Sequence, residues 1–96
     1  MKSSADVLKG HYTFERGKFI PHGDMERINS KLKQMKMLAG STETGKGEFY
    51  VDTADGLYWH YIQFEDYRTE LRCVSREFIE SNFPSVDCEK ELDIGR

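Results

Sequence analysis

Cysteine is scarce in this chain, and so is proline, at two residues each in 96. Two thiols, Cys73 and Cys88, do not make a disulfide framework. The first eight residues, Met1-Lys2-Ser3-Ser4-Ala5-Asp6-Val7-Leu8, lack the apolar segment of a secretory signal. Residence in the cytoplasm is therefore expected, with both cysteines as free thiols. No apolar run approaches the ~18 residues of a membrane-spanning helix, so no membrane association is expected.

Chemical motifs are equally sparse. There is no Gly-x-Ser-x-Gly elbow for a nucleophilic serine. Gly45-Lys46 is followed by Gly47, not by Ser or Thr, and leads into a strand pattern, which excludes a phosphate-binding loop. His11, His22 and His60 are scattered, and neither cysteine has a second thiol nearby, so no zinc-ligand spacing exists. No catalytic group, metal or cofactor is expected. His60, flanked by Tyr58 and Tyr61, is the one side chain that could serve as a general base, if Glu65 or Asp66 oriented it. That leaves a small hydrolase as an alternative reading.

What is present is a balanced, charged composition: 38 % hydrophobic and 32 % charged. This suits a single small globular domain and argues against disorder over most of the length. At this size only roughly 60–65 % of the unfolded surface is buried on folding, so the core is limited. The net charge of −3 is unevenly placed. Residues 1–48 carry nine basic and six acidic side chains, whereas residues 49–96 carry five and eleven. The acidic second half favours a basic partner over a nucleic-acid backbone.

The aromatic residues concentrate between Glu48 and Phe64, which hold three of the five tyrosines and the only tryptophan. Two β-favouring runs flank Asp52-Thr53-Ala54-Asp55-Gly56, the pattern of a β-hairpin. Asp52, Asp55 and Gly56 are assigned to the turn, where carboxylates accept from loop amides and glycine closes the reversal. Along the second run Tyr58, His60, Ile62 and Phe64 share one side, and Leu57, Trp59, Tyr61 and Gln63 the other. Both sides are rich in rings, so either one stays partly open as a binding surface or a second helix or the N-terminal arm covers it.

Met25, Ile28, Leu32 and Met35 recur at i, i+3, i+7 and i+10, which predicts a helix over 24–36 led by Asp24 as its cap. Its off-stripe cations, Arg27, Lys31, Lys33 and Lys36, read as a solvated face; a small RNA-binding module is the alternative. Strands are expected around the glycine turn between Phe14 and Ile20 and again from Glu70 to Val74. Ser75 caps a second helix over 76–83, which Pro84 ends. Residues 1–9 are expected to be a loose arm, 10–83 the folded core, and 84–96 a mobile acidic tail. The predicted fold is α+β: an antiparallel sheet of four to five strands, with one long helix on a face and a short C-terminal helix at an edge or end.

Phe49-Tyr50-Val51-Asp52-Thr53-Ala54-Asp55-Gly56-Leu57-Tyr58-Trp59 is similar to the signature of a bacterial immunity-protein family, the twenty-seventh in the usual numbering. The order of features around it agrees: Phe14 to Ile20 about a glycine turn, Asp24 with Arg27-Ile28 on a helix, Leu71 to Ser75, then a closing helix. The resemblance spans residues 10–83. It departs at Thr53, where the family tends to have proline, and at Glu65 to Thr69, where the family often has a glycine- and proline-rich connection. It implies a non-enzymatic protein that binds and neutralises a cognate toxin domain of a polymorphic or contact-dependent system, a nuclease being one option, by stoichiometric occlusion. The expected partner surface is Tyr58, His60, Glu65, Asp66, Tyr67 and Glu70.

Overall fold

The computed structural model describes residues 7–92. Seven strands and two helices run in the order β1 (Val7–Glu15), β2 (Lys18–Gly23), α1 (Met25–Gln34), β3 (Lys36–Ala39), β4 (Glu48–Asp52), β5 (Leu57–Gln63), β6 (Arg68–Val74), α2 (Arg76–Asn82) and β7 (Asp87–Glu91), with a 3₁₀ turn at Ser41–Glu43. The fold is α+β. All pairings are antiparallel, in one sheet ordered β2-β1-β6-β5-β4-β3-β7. The sheet thus has seven strands where four to five were expected.

One extra strand, β7, and the first part of β1 come from segments read as tails. Val7 to Lys9, assigned to the loose arm, pair with Arg72, Leu71 and Glu70 of β6. Asp87 to Glu91, assigned to the acidic tail, form an edge strand on β3. The reason is burial at a few positions: Val86 and Cys88 insert into the core while the charged residues between and beyond them face out. The rest of the expected arm and tail, residues 1–6 and 93–96, lies outside the described residues.

The central strand β5 dictates the layering. Trp59 and Tyr50 face α1, where Met25, Ile28, Leu32, Met35 and Leu71 close the first core. Phe49 and Val51 face the other way and pack with Leu38, Ile79 of α2, Val86 and Cys88. The helices therefore lie on opposite faces: α1 over β1, β2 and β6, and α2 toward β7 at the far end. The expected single helix on a face becomes one helix per face, and α1 is ten residues long, shorter than 24–36.

Ser75 caps α2 by accepting from the Phe78 N–H at 3.0 Å. Asp24 sits at the N-cap of α1, its carbonyl accepting from the Ile28 N–H at 2.8 Å, but its side chain makes no capping hydrogen bond. Its carboxylate accepts instead from the Lys9 N–H at 3.1 Å, and its own N–H donates to the Lys9 carbonyl at 2.9 Å, extending the sheet ladder past β2. Both sheet edges carry features that discourage further pairing: Pro21 in β2, and charged side chains along β7.

Gly40 connects the two halves of the second core. Its φ is +84°, and a Cβ there would collide with the Ser85 carbonyl, so the β7 approach passes directly against it. Gly45 shares a positive φ of +72° but faces open space. Replacing each by alanine separates the two effects. Gly45→Ala is expected to cost about 1–2 kcal/mol, the left-handed strain alone. Gly40→Ala is expected to cost about 3 kcal/mol or more, strain plus collision. Urea denaturation of the two variants measures the difference.

Candidate functional site

The β1–β2 hairpin turns on Arg16 and Gly17, with φ of 53° and 77°. Two left-handed central residues make the two-residue turn whose twist matches the strands. The register sets Phe14 directly opposite Phe19 on one face. Their rings meet edge to face with centroids 5.0 Å apart.

A second turn reaches the same place. β6 pairs with β1, which carries the β5–β6 connection alongside the hairpin, and the Tyr12 N–H donates to the Tyr67 carbonyl at 3.2 Å. The Tyr67 ring lies 5.5 Å from Phe19, and Tyr12 lies 6.2 Å from it. Tyr12 is anchored beneath, its hydroxyl accepting from Asn29 of α1 at 2.9 Å. The outer three rings remain in solvent: Phe14 is 61 %, Phe19 51 % and Tyr67 57 % exposed. Glu15, Arg16, Lys18, Glu65 and Asp66, all exposed, surround them in the two turns.

Tyr67 adopts a φ of +69°. A bulky residue in this region is a backbone outlier, costing on the order of 1–2 kcal/mol where glycine costs little. Arg68 braces the same turn. Its Nε donates to both oxygens of Asp66 at 2.9 and 2.8 Å, and its guanidinium lies 4.9 Å above the Phe64 ring. The guanidinium holds the Asp66 carboxyl below its ordinary pKa.

The expected partner residues divide. Glu65, Asp66 and Tyr67 stand together and exposed. Glu70 is half-buried on the opposite sheet face and paired with Arg72 at 2.9 Å. Tyr58 and His60 do not form an open face. His60 is 7 % exposed, stacked on Phe49 at 4.1 Å and tilted against Phe83 at 5.6 Å. Its Nε2 lies 2.7 Å from the Lys46 carbonyl. The Tyr58 hydroxyl donates to the Cys88 carbonyl at 3.2 Å, beneath the β7 end. The correction has a simple cause: α2 and β7 cover this part of the sheet. Phe14 and Phe19 were missed. Their symmetric placement about Arg16-Gly17 was legible as a cross-strand pair, but their neighbour Tyr67 depends on a pairing across more than fifty residues.

Burial lowers the pKa of His60, so the ring stays neutral in the core. Asp52, 5 % exposed, accepts from Lys31 Nζ at 2.8 Å and from the Ala54 N–H at 3.0 Å; the lysine is the main cause of its lowered pKa. Lys31 also lies 4.7 Å over the Trp59 ring. Asp55 accepts from the Leu57 N–H at 2.9 Å, and Gly56 donates to the Asp52 carbonyl at 2.7 Å. These residues close the β4–β5 turn and tie it to α1. Lys31 is thereby committed, and Arg27 lies 3.6 Å from Asp24. Lys36 is on β3 opposite Val51, on the face away from α1. The four cations do not share one surface.

No family model, curated protein or solved structure matches this chain.

Both lowered pKa values act in the same direction. The unfolded chain protonates His60 and Asp52 more readily than the folded one, so stability falls as pH drops. The His60 contribution declines below about pH 6.5 and that of Asp52 below about 3.8, their unfolded values. Thermal unfolding of His60→Gln across pH 7 to 5 is expected to show a flatter pH dependence than the wild type. At pH 7, Asp52→Asn is expected to cost about 2–3 kcal/mol, through the lost charged hydrogen bond and the Lys31 charge left without its partner.

Proposed function

We propose that this chain works by binding a protein partner, as an immunity-type protein that covers the active site of a cognate toxin domain. The observation that carries the reading is the exposed ring cluster of Phe14, Phe19 and Tyr67. Contiguous aromatic surface rimmed by charge is the composition of interface centres. Tyr67 strengthens it, since a strained backbone is retained to hold an exposed ring. The resemblance over residues 10–83 supplies the class of partner. The excess of acidic groups in the second half suits a basic cleft, such as that of a nuclease.

Within this reading the rings are the anchors, and Glu65 and Asp66 steer encounter from the rim. The two alternatives draw less support. A hydrolase built on His60 requires a ring free to take a proton, and this one is 7 % exposed, packed on Phe49 and Phe83, with its Nε2 engaged by the Lys46 carbonyl at 2.7 Å. An RNA-binding face requires cations presented together, and Lys31 and Lys36 diverge.

Co-expression with the toxin encoded beside the chain's own gene is the direct test. Cells are expected to survive with the wild-type chain, and continued killing would overturn the reading. Tyr67→Gly refines it. Relief of the left-handed strain offsets the lost ring contact and the added chain freedom, so stability is expected to stay within about 1 kcal/mol of wild type. Binding is expected to weaken about 30-fold, the loss of one anchor. Unchanged affinity for Tyr67→Gly and Phe19→Ala would move the interface elsewhere.

A further inference from the structure

His11 and His22 are eleven residues apart in sequence and directly opposed in the β1–β2 pairing. Their rings lie parallel within 10°, centroids 4.8 Å apart, on the sheet face away from α1. His11 is exposed and His22 half-buried, so solvent reaches the pair. We infer that this cross-strand histidine pair is a binding site for one divalent transition-metal ion, with the two imidazoles as protein ligands.

The hydrogen bonds around His22 prepare it for the role. Its Nε2 lies 2.8 Å from Thr13 Oγ1, and that hydroxyl donates to Glu15 Oε2 at 3.3 Å. A threonine hydroxyl has a single proton, and a carboxylate can only accept it. With the Thr13 proton on Glu15, the shared bond runs from the His22 Nε2–H to the Thr13 oxygen, the tautomer that leaves Nδ1 with the lone pair. A ligating histidine usually gives its second N–H to such a partner, which orients the ring and raises its basicity. Here the chain His22–Thr13–Glu15 ends on a carboxylate.

The geometry also allows convergence. Metal–nitrogen bonds of 2.0–2.1 Å need the two nitrogens roughly 3–4 Å apart. With His22 held on Thr13, the exposed His11 ring, stacked at 4.8 Å, would close that gap by turning about χ2, a soft torsion for histidine. The nearest cation across the sheet, Arg68 opposite His11, is neutralised by Asp66, and Arg72 by Glu70. Among the described residues no group of three or more His, Cys, Asp or Glu converges on one point. Solvent would complete the shell, which suits Cu²⁺ first and Ni²⁺ or Zn²⁺ less, in the usual order for imidazole donors. The ion would pin the hairpin whose tip presents Phe14 and Phe19. The site stands independently of what that tip binds.

The test is titration of CuCl₂ and of NiCl₂ into the full chain, followed by calorimetry and thermal unfolding. One equivalent of Cu²⁺ is expected to bind, with Ni²⁺ weaker. A hundredfold excess over the dissociation constant is expected to raise the melting temperature by on the order of 10 °C. His11→Gln and His22→Gln should each abolish the shift, and Thr13→Val, which only positions His22, should weaken binding about 10- to 100-fold. A double Cys73→Ser, Cys88→Ser variant should bind as the wild type does. Equal binding by His11→Gln, loss in the cysteine variant, or no saturable site would each overturn the inference. His11 is exposed, so its variant keeps the test valid should His22→Gln fold poorly.

Discussion

A strand with large rings on both faces has to be covered on both sides, and β5 is that strand. It occupies the middle of the seven-stranded order, with Trp59 on one face and Tyr58 and His60 on the other. Each buried ring removes apolar surface worth roughly 1.5–3 kcal/mol from water. A helix packs on only one face of a sheet, so the chain divides the work. α1 covers Trp59 and Tyr50. α2, β3 and β7 close over Phe49, Val51 and His60. The turn before β5 ties the layers together, because Asp52 closes the hairpin with one oxygen and holds Lys31 of α1 with the other. The fit is imperfect: the Trp59 indole N–H is buried without an acceptor among the described residues, a cost of about 1–3 kcal/mol that the packing overcomes.

This requirement explains what could be read from the sequence and what could not. The β4–β5 hairpin, the stripe of α1 and the Ser75 cap are local, set by residues within one or two turns of each other. β7 is not. Four of its five residues are charged, and the strand exists because Cys88 and the preceding Val86 complete a core assembled from β3, β4 and α2. The same reasoning applies to His60. Alternation placed it correctly on a face with Tyr58, but whether that face is open depends on where α2 lands, which no pattern within β5 records.

Covering both faces leaves each helix over only part of the sheet. On the face away from α1, the β1–β2–β6 end lies beyond α2 and carries His11, Lys9 and Arg72 in solvent. The open surface expected around Tyr58 and His60 is thus displaced to the other end of the same face. On the α1 side, β1 and β2 run past the end of β6, and the tip beyond Tyr12 projects Phe14 and Phe19. The exposed rings and histidines therefore occur where the sheet outruns its helices, a consequence of burying β5 with so few residues.

Tyr67 is the point where folding and binding make opposite demands. A turn in which the residue before the returning strand is left-handed is served best by glycine, and the family resembled here often has a glycine- and proline-rich connection at this place. This chain carries tyrosine, at φ +69° and mostly in solvent. Its ring contact with Phe19 is worth about 0.5–1.5 kcal/mol, and with the smaller chain freedom of tyrosine it is comparable to the backbone cost of about 1–2 kcal/mol. Packing within the chain therefore gives tyrosine no clear advantage over glycine. A partner that buries the ring would add roughly 2 kcal/mol or more at a central anchor. In the proposed reading that third contribution tips the balance toward tyrosine, with the partner's contact at the β5–β6 turn and the hairpin tip.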